Sequence, residues 1–169
     1  MKILKTLSIV LMFSLGVQAV KASILADSPI DKIVSAYLDI KNALVTDNGN
    51  TAQSKAKDLV AALSANTTGT LSADQEKTFA KYRDKLLFDA RHISSVNAVD
   101  HQREHFATLS NNMYELLKAL KSNSTALYEQ YCPMKKAYWL SESQQIKNPY
   151  FGSQMPGCGK VTATLAPAK

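Results

Sequence analysis

Residues 128–159 read YEQYCPMKKAYWLSESQQIKNPYFGSQMPGCG, and this stretch divides the chain into two unlike parts. It holds both cysteines, Cys132 and Cys158, and the only tryptophan, Trp139. Three prolines and three glycines lie within it and exclude one long helix there. We therefore expect a loop-rich C-terminal cap, residues 128–159, that packs on the rest of the protein through its aromatic side chains.

Before the cap, apolar residues recur at helical spacing in four segments. Ser28 followed by Pro29 is typical of a helix start, and Ser72 with Gln75 forms a capping-box pattern. The longest segment covers about residues 98–121. Short links between such segments predict a mainly α protein, an antiparallel up-and-down bundle of about four helices.

Two short segments near the C-terminus have the composition of strands, residues 137–140 and 160–164. The expectation is that they pair with each other as a small two-stranded hairpin beside the bundle.

The N-terminus has the pattern of a secretory signal peptide at residues 1–22. Two lysines precede an apolar run, and small residues allow cleavage after Ala19 or Ala22. The run is too short to span a bilayer, which takes about 20 apolar residues. We expect an exported periplasmic protein with one helical domain at 23–165, no membrane span in its mature form, and a disordered tail at 166–169.

Loss of this leader would lower the formal net charge from +6 to +3, because Lys2, Lys5 and Lys21 go with it. No basic block remains, which argues against nucleic-acid binding. Nucleotide-binding glycine motifs and the nucleophile-elbow motif are absent from the sequence. Cys132 with a histidine would be the thiol-hydrolase alternative, but nothing marks an oxyanion hole or an orienting carboxylate. The sequence therefore favours a protein that is not an enzyme.

Four of the five sulfur atoms of residues 23–169 form two short groups, Cys132-Pro133-Met134 and Met155-Pro156-Gly157-Cys158. Thiolates with thioethers are soft ligands that suit copper(I) or another soft d10 ion, unlike the Cys/His set typical of zinc. The pattern predicts a metal site whose ligands are Cys132, Met134, Met155 and Cys158.

A disulfide is the competing interpretation, because two cysteines in an exported protein commonly pair. A bridge between Cys132 and Cys158 would stabilise the fold by about 3–4 kcal/mol in the chain-entropy estimate. Spacing leaves both readings open, together with a site that binds metal when reduced and closes as a disulfide when oxidised.

His101 and His105 are four residues apart and share one helix face. They are predicted as auxiliary ligands, or as a second, harder site for copper(II) or zinc(II). His92 would join them if the third and fourth helices are antiparallel neighbours. The alternative is solvated surface histidines paired with Asp100 or Glu104.

Four motifs of the cap resemble a family of exported bacterial domains of unknown function. They are Tyr-Cys-Pro-Met at 131–134, Tyr-Trp-Leu-Ser at 138–141, Ile-Lys-Asn-Pro-Tyr-Phe-Gly at 146–152 and Met-x-x-Cys-Gly at 155–159. Upstream, His-Gln-Arg-Glu-His-Phe at 101–106 is similar to the preceding helix of that family. Its members occur alone or fused to the C-terminal end of periplasmic adaptor subunits of heavy-metal efflux pumps.

This resemblance covers roughly residues 33–164 and implies a helical domain associated with efflux of copper or related metals. It brings no demonstrated activity. The partners it implies are a metal ion and an adaptor of a heavy-metal efflux pump. Pro156-Gly157 departs from the Leu-Thr of the family pattern, which changes the loop without removing a ligand. The positions that match the motifs are Cys132, Met134, Met155 and Cys158 for sulfur and His101 and His105 for the helix.

Overall fold

The computed structural model describes residues 28–65 and 70–168, and the predicted leader with its cleavage points lies outside them. Within these residues the chain forms four α-helices, α1 Pro29–Val45, α2 Gly49–Ser64, α3 Ala73–Ser95 and α4 Val99–Leu120. Each helix packs against the next along the chain. The predicted up-and-down bundle is therefore confirmed. None of the helices in the described ranges is both long and apolar enough to cross a membrane.

Side-chain caps define where the helices begin. Ser28 Oγ accepts a hydrogen bond from the Asp31 N–H at 3.1 Å, with Pro29 at the first helical position. Ser72 and Gln75 form the predicted reciprocal capping box at the start of α3. Because these caps satisfy N–H groups that no helical carbonyl can reach, the helix starts are readable from the sequence.

The C-terminal part contains a three-stranded antiparallel sheet, with β1 Leu127–Cys132, β2 Ala137–Ser141 and β3 Lys160–Leu165. The predicted strands β2 and β3 exist, but their expected pairing with each other is wrong. Both pair with β1, which lies between them in the order β2-β1-β3. Strand β1 was not predicted from the sequence, because Gln130 in its middle is polar and interrupts the apolar pattern. The residue is fully buried, and its side-chain N–H group donates a hydrogen bond to the Ser143 carbonyl at 2.8 Å.

The cap packs on the bundle through an aromatic cluster, as expected. Phe106 of α4 stacks on Tyr37 of α1 at 5.3 Å between ring centroids and lies 6.0 Å from the ring of Tyr150. Trp139 of β2 meets Tyr150 edge-on at 5.9 Å. The Leu140 N–H also donates to the Tyr37 hydroxyl at 2.9 Å. These contacts join β2 to both α1 and α4.

Arg103 of α4 ties the loop after α1 to the cap. Its guanidinium donates to the Pro149 carbonyl at 2.8 Å and to the Leu44 carbonyl at 3.1 Å, and it pairs with Asp47. Gly152 lies against this pair with φ +50°, and a Cβ there would sit 2.1 Å from the Asp47 carboxylate. The close approach therefore requires glycine.

Residues 166–168, part of the predicted tail, make hydrogen bonds with Asn123. The Ala168 N–H donates to the Asn123 carbonyl at 2.8 Å, and the Asn123 side chain donates to the Ala166 carbonyl at 3.0 Å. Asn123 is buried, so the chain after β3 serves to satisfy a buried amide. Residue 169 lies outside the described residues.

Candidate metal-binding sites

The two cysteines of the cap are free thiols that face each other. Cys132 ends β1 and Cys158 precedes β3, and their Sγ atoms lie 3.5 Å apart. Two sulfur ligands about 2.3 Å from a tetrahedral ion lie about 3.8 Å apart, whereas a disulfide brings them to about 2.0 Å. The observed separation is close to the first value. The pair therefore fits a shared ion with only a small opening.

Hydrogen bonds make Cys132 the more acidic thiol. Burial by itself would raise its pKa, but the Lys135 N–H, the Asn148 side chain and the Cys158 thiol outweigh burial and lower the pKa. The pKa of Cys158 is raised, first by its hydrogen bond to Cys132 and then by burial. Of the two thiols, Cys132 is thus the one that loses its proton more readily, and its thiolate form would accept a hydrogen bond from the Cys158 thiol.

Asn148 holds the loop that carries Cys158, and the sequence did not single it out. It is fully buried and its side chain donates to the Cys158 carbonyl at 2.7 Å. Its own N–H donates to the Pro156 carbonyl at 2.9 Å. The signal available in the sequence was the Asn-Pro dipeptide, which is typical of a turn. Its second role, toward the sulfur atoms, depends on the tertiary fold.

Position 159, directly after the second cysteine, requires a glycine. At φ +155° it lies against Trp139 and the Tyr131 carbonyl, and a Cβ would come within 2.8 Å of the indole. Backbone without a side chain is therefore needed to bring Cys158 alongside β1.

The two predicted thioether ligands lie on the surface of the cap. The side chain of Met134 is 65% exposed and that of Met155 is 37% exposed. Met134 lies in the turn between β1 and β2, where its N–H contributes to lowering the pKa of Cys132. Met155 begins the turn closed by the Cys158 N–H, which donates to the Met155 carbonyl at 3.2 Å. Each methionine is therefore close in sequence to one cysteine, and its side chain is exposed.

The histidines lie together in a different place, between α3 and α4. The ring of His105 is 4.4 Å from that of His92 and 5.0 Å from that of His101, between centroids. Antiparallel packing of α3 and α4 thus brings His92 to the predicted pair. His101 is also 3.7 Å from Glu104, the carboxylate partner that the surface alternative expected.

The face of α4 that carries His105 points away from the cap. His105 and Arg103 are two residues apart on α4, so they point to different sides of the helix. Arg103 contacts the cap at Pro149, whereas Nδ1 of His105 lies 3.0 Å from Asp89 of α3. The structure therefore brings the two cysteines together and the three histidines together, as two separate groups.

The similarity to a known family covers the histidine group and not the cysteine pair. Residues 33–125 match the model of a family described as a protein of unknown function, DUF3347. This range includes the three histidines and ends just before β1, so the cap lies outside it. No curated protein and no solved structure shows significant similarity to the chain. Because the match covers more than half of the 169 residues, the chain belongs to the DUF3347 family of proteins of unknown function.

Proposed function

We propose that this protein is a periplasmic copper(I)-binding protein that sequesters the ion or hands it on to an efflux system. The observation that carries the proposal is the pair of free thiols, Cys132 and Cys158, with sulfur atoms 3.5 Å apart. The lowered pKa of Cys132 makes its proton easier to displace, and binding of a cation displaces the protons of both thiols. The function is binding without catalysis.

Met134 and Met155 complete the soft ligand set in this proposal. Thiolate and thioether sulfur favour copper(I) over harder ions, and copper(I) accepts two to four such ligands. Their exposure supports transfer as well as storage, because an ion held by thioethers at the surface is open to an incoming ligand. Zinc, or a soft ion other than copper(I), would be held by the same cysteines with lower preference.

The link to efflux is supported by the cap motifs and by the leader pattern. The motifs resemble exported domains found alone or fused to periplasmic adaptor subunits of heavy-metal efflux pumps. In this proposal the adaptor of such a pump is the partner that receives the ion. The family match itself describes no function and adds no activity.

The test is competition between reduced protein and a chromophoric copper(I) chelator. We expect tight one-to-one binding, a loss of affinity of about two orders of magnitude or more for Cys132→Ser, and a smaller loss for Met134→Leu. Met113→Leu is the matched control, because Met113 is a buried thioether in α4. It should bind copper(I) as the wild type does.

The contrary result is a reduced wild-type protein that does not bind copper(I). A Cys132–Cys158 disulfide that survives mild reductant would accompany it in the competing reading. That pair of results would instead identify a non-catalytic interaction module whose cap is closed by a disulfide.

A further inference from the structure

The histidine group has a hydrogen-bond arrangement that surface histidines do not need. Nδ1 of His92 lies 2.9 Å from the carbonyl oxygen of Phe88. A carbonyl only accepts hydrogen bonds, so Nδ1 of His92 carries the proton and Nε2 keeps its lone pair when the ring is neutral. This hydrogen bond thus selects the tautomer that can bind a metal through Nε2.

Asp89 does the same for His105. When ionised, its carboxylate, 3.0 Å from Nδ1 of His105, only accepts a hydrogen bond, so Nδ1 carries the proton and Nε2 stays free. Metal-binding histidines commonly donate their second ring nitrogen to a carboxylate or a backbone carbonyl in this way. Both types of partner occur here on neighbouring residues of α3, Phe88 and Asp89.

Orientation of His105 gives a reason for the burial of Asp89, which is energetically unfavourable by itself. The residue is 2% exposed, and its carboxyl group is hydrogen-bonded to His105 at 3.0 Å. A buried carboxylate is expensive unless it is hydrogen-bonded. Its bond to His105 orients an imidazole that opens onto a surface groove of about 790 Å³, lined also by Lys85, Phe88, Glu104 and Thr108.

Phe88 forms one wall of the group, although its side chain is 57% exposed. Its ring lies 4.3 Å from the ring of His92 and 6.0 Å, edge-on, from that of His105. The aromatic ring lies beside the imidazoles and shields one side of them from water.

We propose that His92, His101 and His105 form a second metal site, for divalent ions that prefer imidazole such as zinc(II) and copper(II), separate from the cysteine pair. His101 and His105, four residues apart on α4, form the chelating pair, and His92 adds a ligand from α3. Asp89 is the positioning residue. The site goes beyond the proposed copper(I) function and does not depend on it.

Binding requires a rearrangement of side chains. The described part of the chain contains no three His, Cys, Asp or Glu groups already placed to hold a metal ion. The rings of His92 and His105 are stacked at 19° between planes, so their Nε2 lone pairs do not meet at one point. Rotation of His92 out of the stack, while His101 and His105 keep their shared face, brings the third nitrogen to the ion.

The experiment uses the full chain with Cys132→Ser and Cys158→Ser, so that thiolates do not contribute. Zinc(II) is titrated in competition with a chromophoric indicator, and the imidazole nitrogens are followed by ¹⁵N NMR. We expect saturable one-to-one binding, with large shifts at Nε2 of all three histidines and a retained proton at Nδ1 of His92 and His105.

Variants assign the roles. Each of His92→Gln, His101→Gln and His105→Gln should weaken zinc(II) binding about tenfold or more, and Asp89→Asn about 10–100-fold. For Asp89→Asn, the tautomer of His105 is also measured by NMR. It should change if Asp89 orients this ring, and should stay the same if Asp89 only stabilises the fold. Asp84→Asn is the matched control, because it removes an exposed carboxylate from the same groove and should leave the affinity unchanged.

Two results would overturn the proposal: no saturable zinc(II) binding by the thiol-free protein, or binding that all three histidine variants retain. The histidines are exposed or half-buried, so their variants report even if Asp89→Asn fails to fold. Failure here would leave copper(I) binding by the reduced wild type untouched, and failure of copper(I) binding would leave this test unaffected.

Discussion

The buried side chain of Asn148 positions the loop of Cys158 and affects the pKa of Cys132. Its amide group donates to the Cys158 carbonyl, its oxygen accepts from the Tyr150 N–H at 2.8 Å, and its side chain helps to lower the pKa of Cys132. A buried amide with all these partners is rigid. The lowered pKa of Cys132 is therefore a property of the surrounding loop as well as of the cysteine.

Replacing Asn148 with alanine should raise the pKa of Cys132, because a hydrogen bond to the thiolate is lost. The measurement is the pH dependence of alkylation by iodoacetamide, whose midpoint should move to higher pH. Copper(I) affinity at neutral pH should fall about tenfold, as for the loss of other outer-shell partners. Gln144→Ala, an exposed amide of the cap, is the control. An unchanged alkylation midpoint in Asn148→Ala would contradict the role assigned to this residue.

At the scale of elements, the connection between α1 and the cap depends on one carboxylate. Asp47 follows α1 and accepts from the Ser153 hydroxyl at 2.7 Å and from the Ser153 N–H at 3.0 Å. With Arg103 these bonds lower the pKa of Asp47 from 3.8 to about 2. Helix, loop and cap therefore meet at a charge whose ionisation favours the folded state.

Acid should weaken this connection. A carboxyl whose folded pKa is below its unfolded pKa stabilises the fold above about pH 4, and that stability is lost as the pH falls toward 2. Since the Asp47 side chain is about a third exposed (36%), we expect a contribution of about 1 kcal/mol after solvent screening. Asp47→Asn should lower the free energy of unfolding by about that amount at pH 6 and by much less near pH 2.

Chemical denaturation at the two pH values measures this difference. Asp84→Asn, on the surface of α3, should track the wild type at both. A difference between Asp47→Asn and the wild type that is the same at pH 6 and pH 2 would show that ionisation of Asp47 is not the cause.

At the scale of the whole molecule, the aromatic cluster makes bundle and cap one cooperative unit. Phe106 is fully buried between Tyr37 of α1 and Tyr150 of the cap. Trp139, the only tryptophan, lies on the cap side of the same cluster. Its fluorescence therefore reports on the cap, whereas far-ultraviolet circular dichroism reports mainly on the helices.

The two signals should change together during unfolding, as in a two-state transition. Phe106→Ala should shift both to lower denaturant concentration, with a loss of about 3–5 kcal/mol from the emptied space in the core. Phe88→Ala is the matched control, because that ring is exposed and its loss should cost about 0.5 kcal/mol or less. Separate transitions of cap and helices in the wild type would disprove a single unit.

Local signals in the sequence were sufficient for the helical bundle. Ser28, Ser72 with Gln75, and the apolar stripes act over three or four residues, so they can be read without knowing the fold. The same logic led to His101 and His105 sharing a face. Partners of β1 could not be read this way, because strand pairing joins residues distant in sequence and the buried Gln130 has the polarity of a surface residue.

The sequence by itself determined the four helices, the loop-rich cap and the concentration of sulfur in it, because helical periodicity, proline and glycine, and composition are local properties. Only the tertiary structure decided that Cys132 meets Cys158, that His92 joins the other histidines, and that these form two groups on different sides of α4. The reason is physical: such proximities arise when β1 pairs with β3 and α3 packs on α4. Those contacts are set by the burial of the whole core and by no single segment.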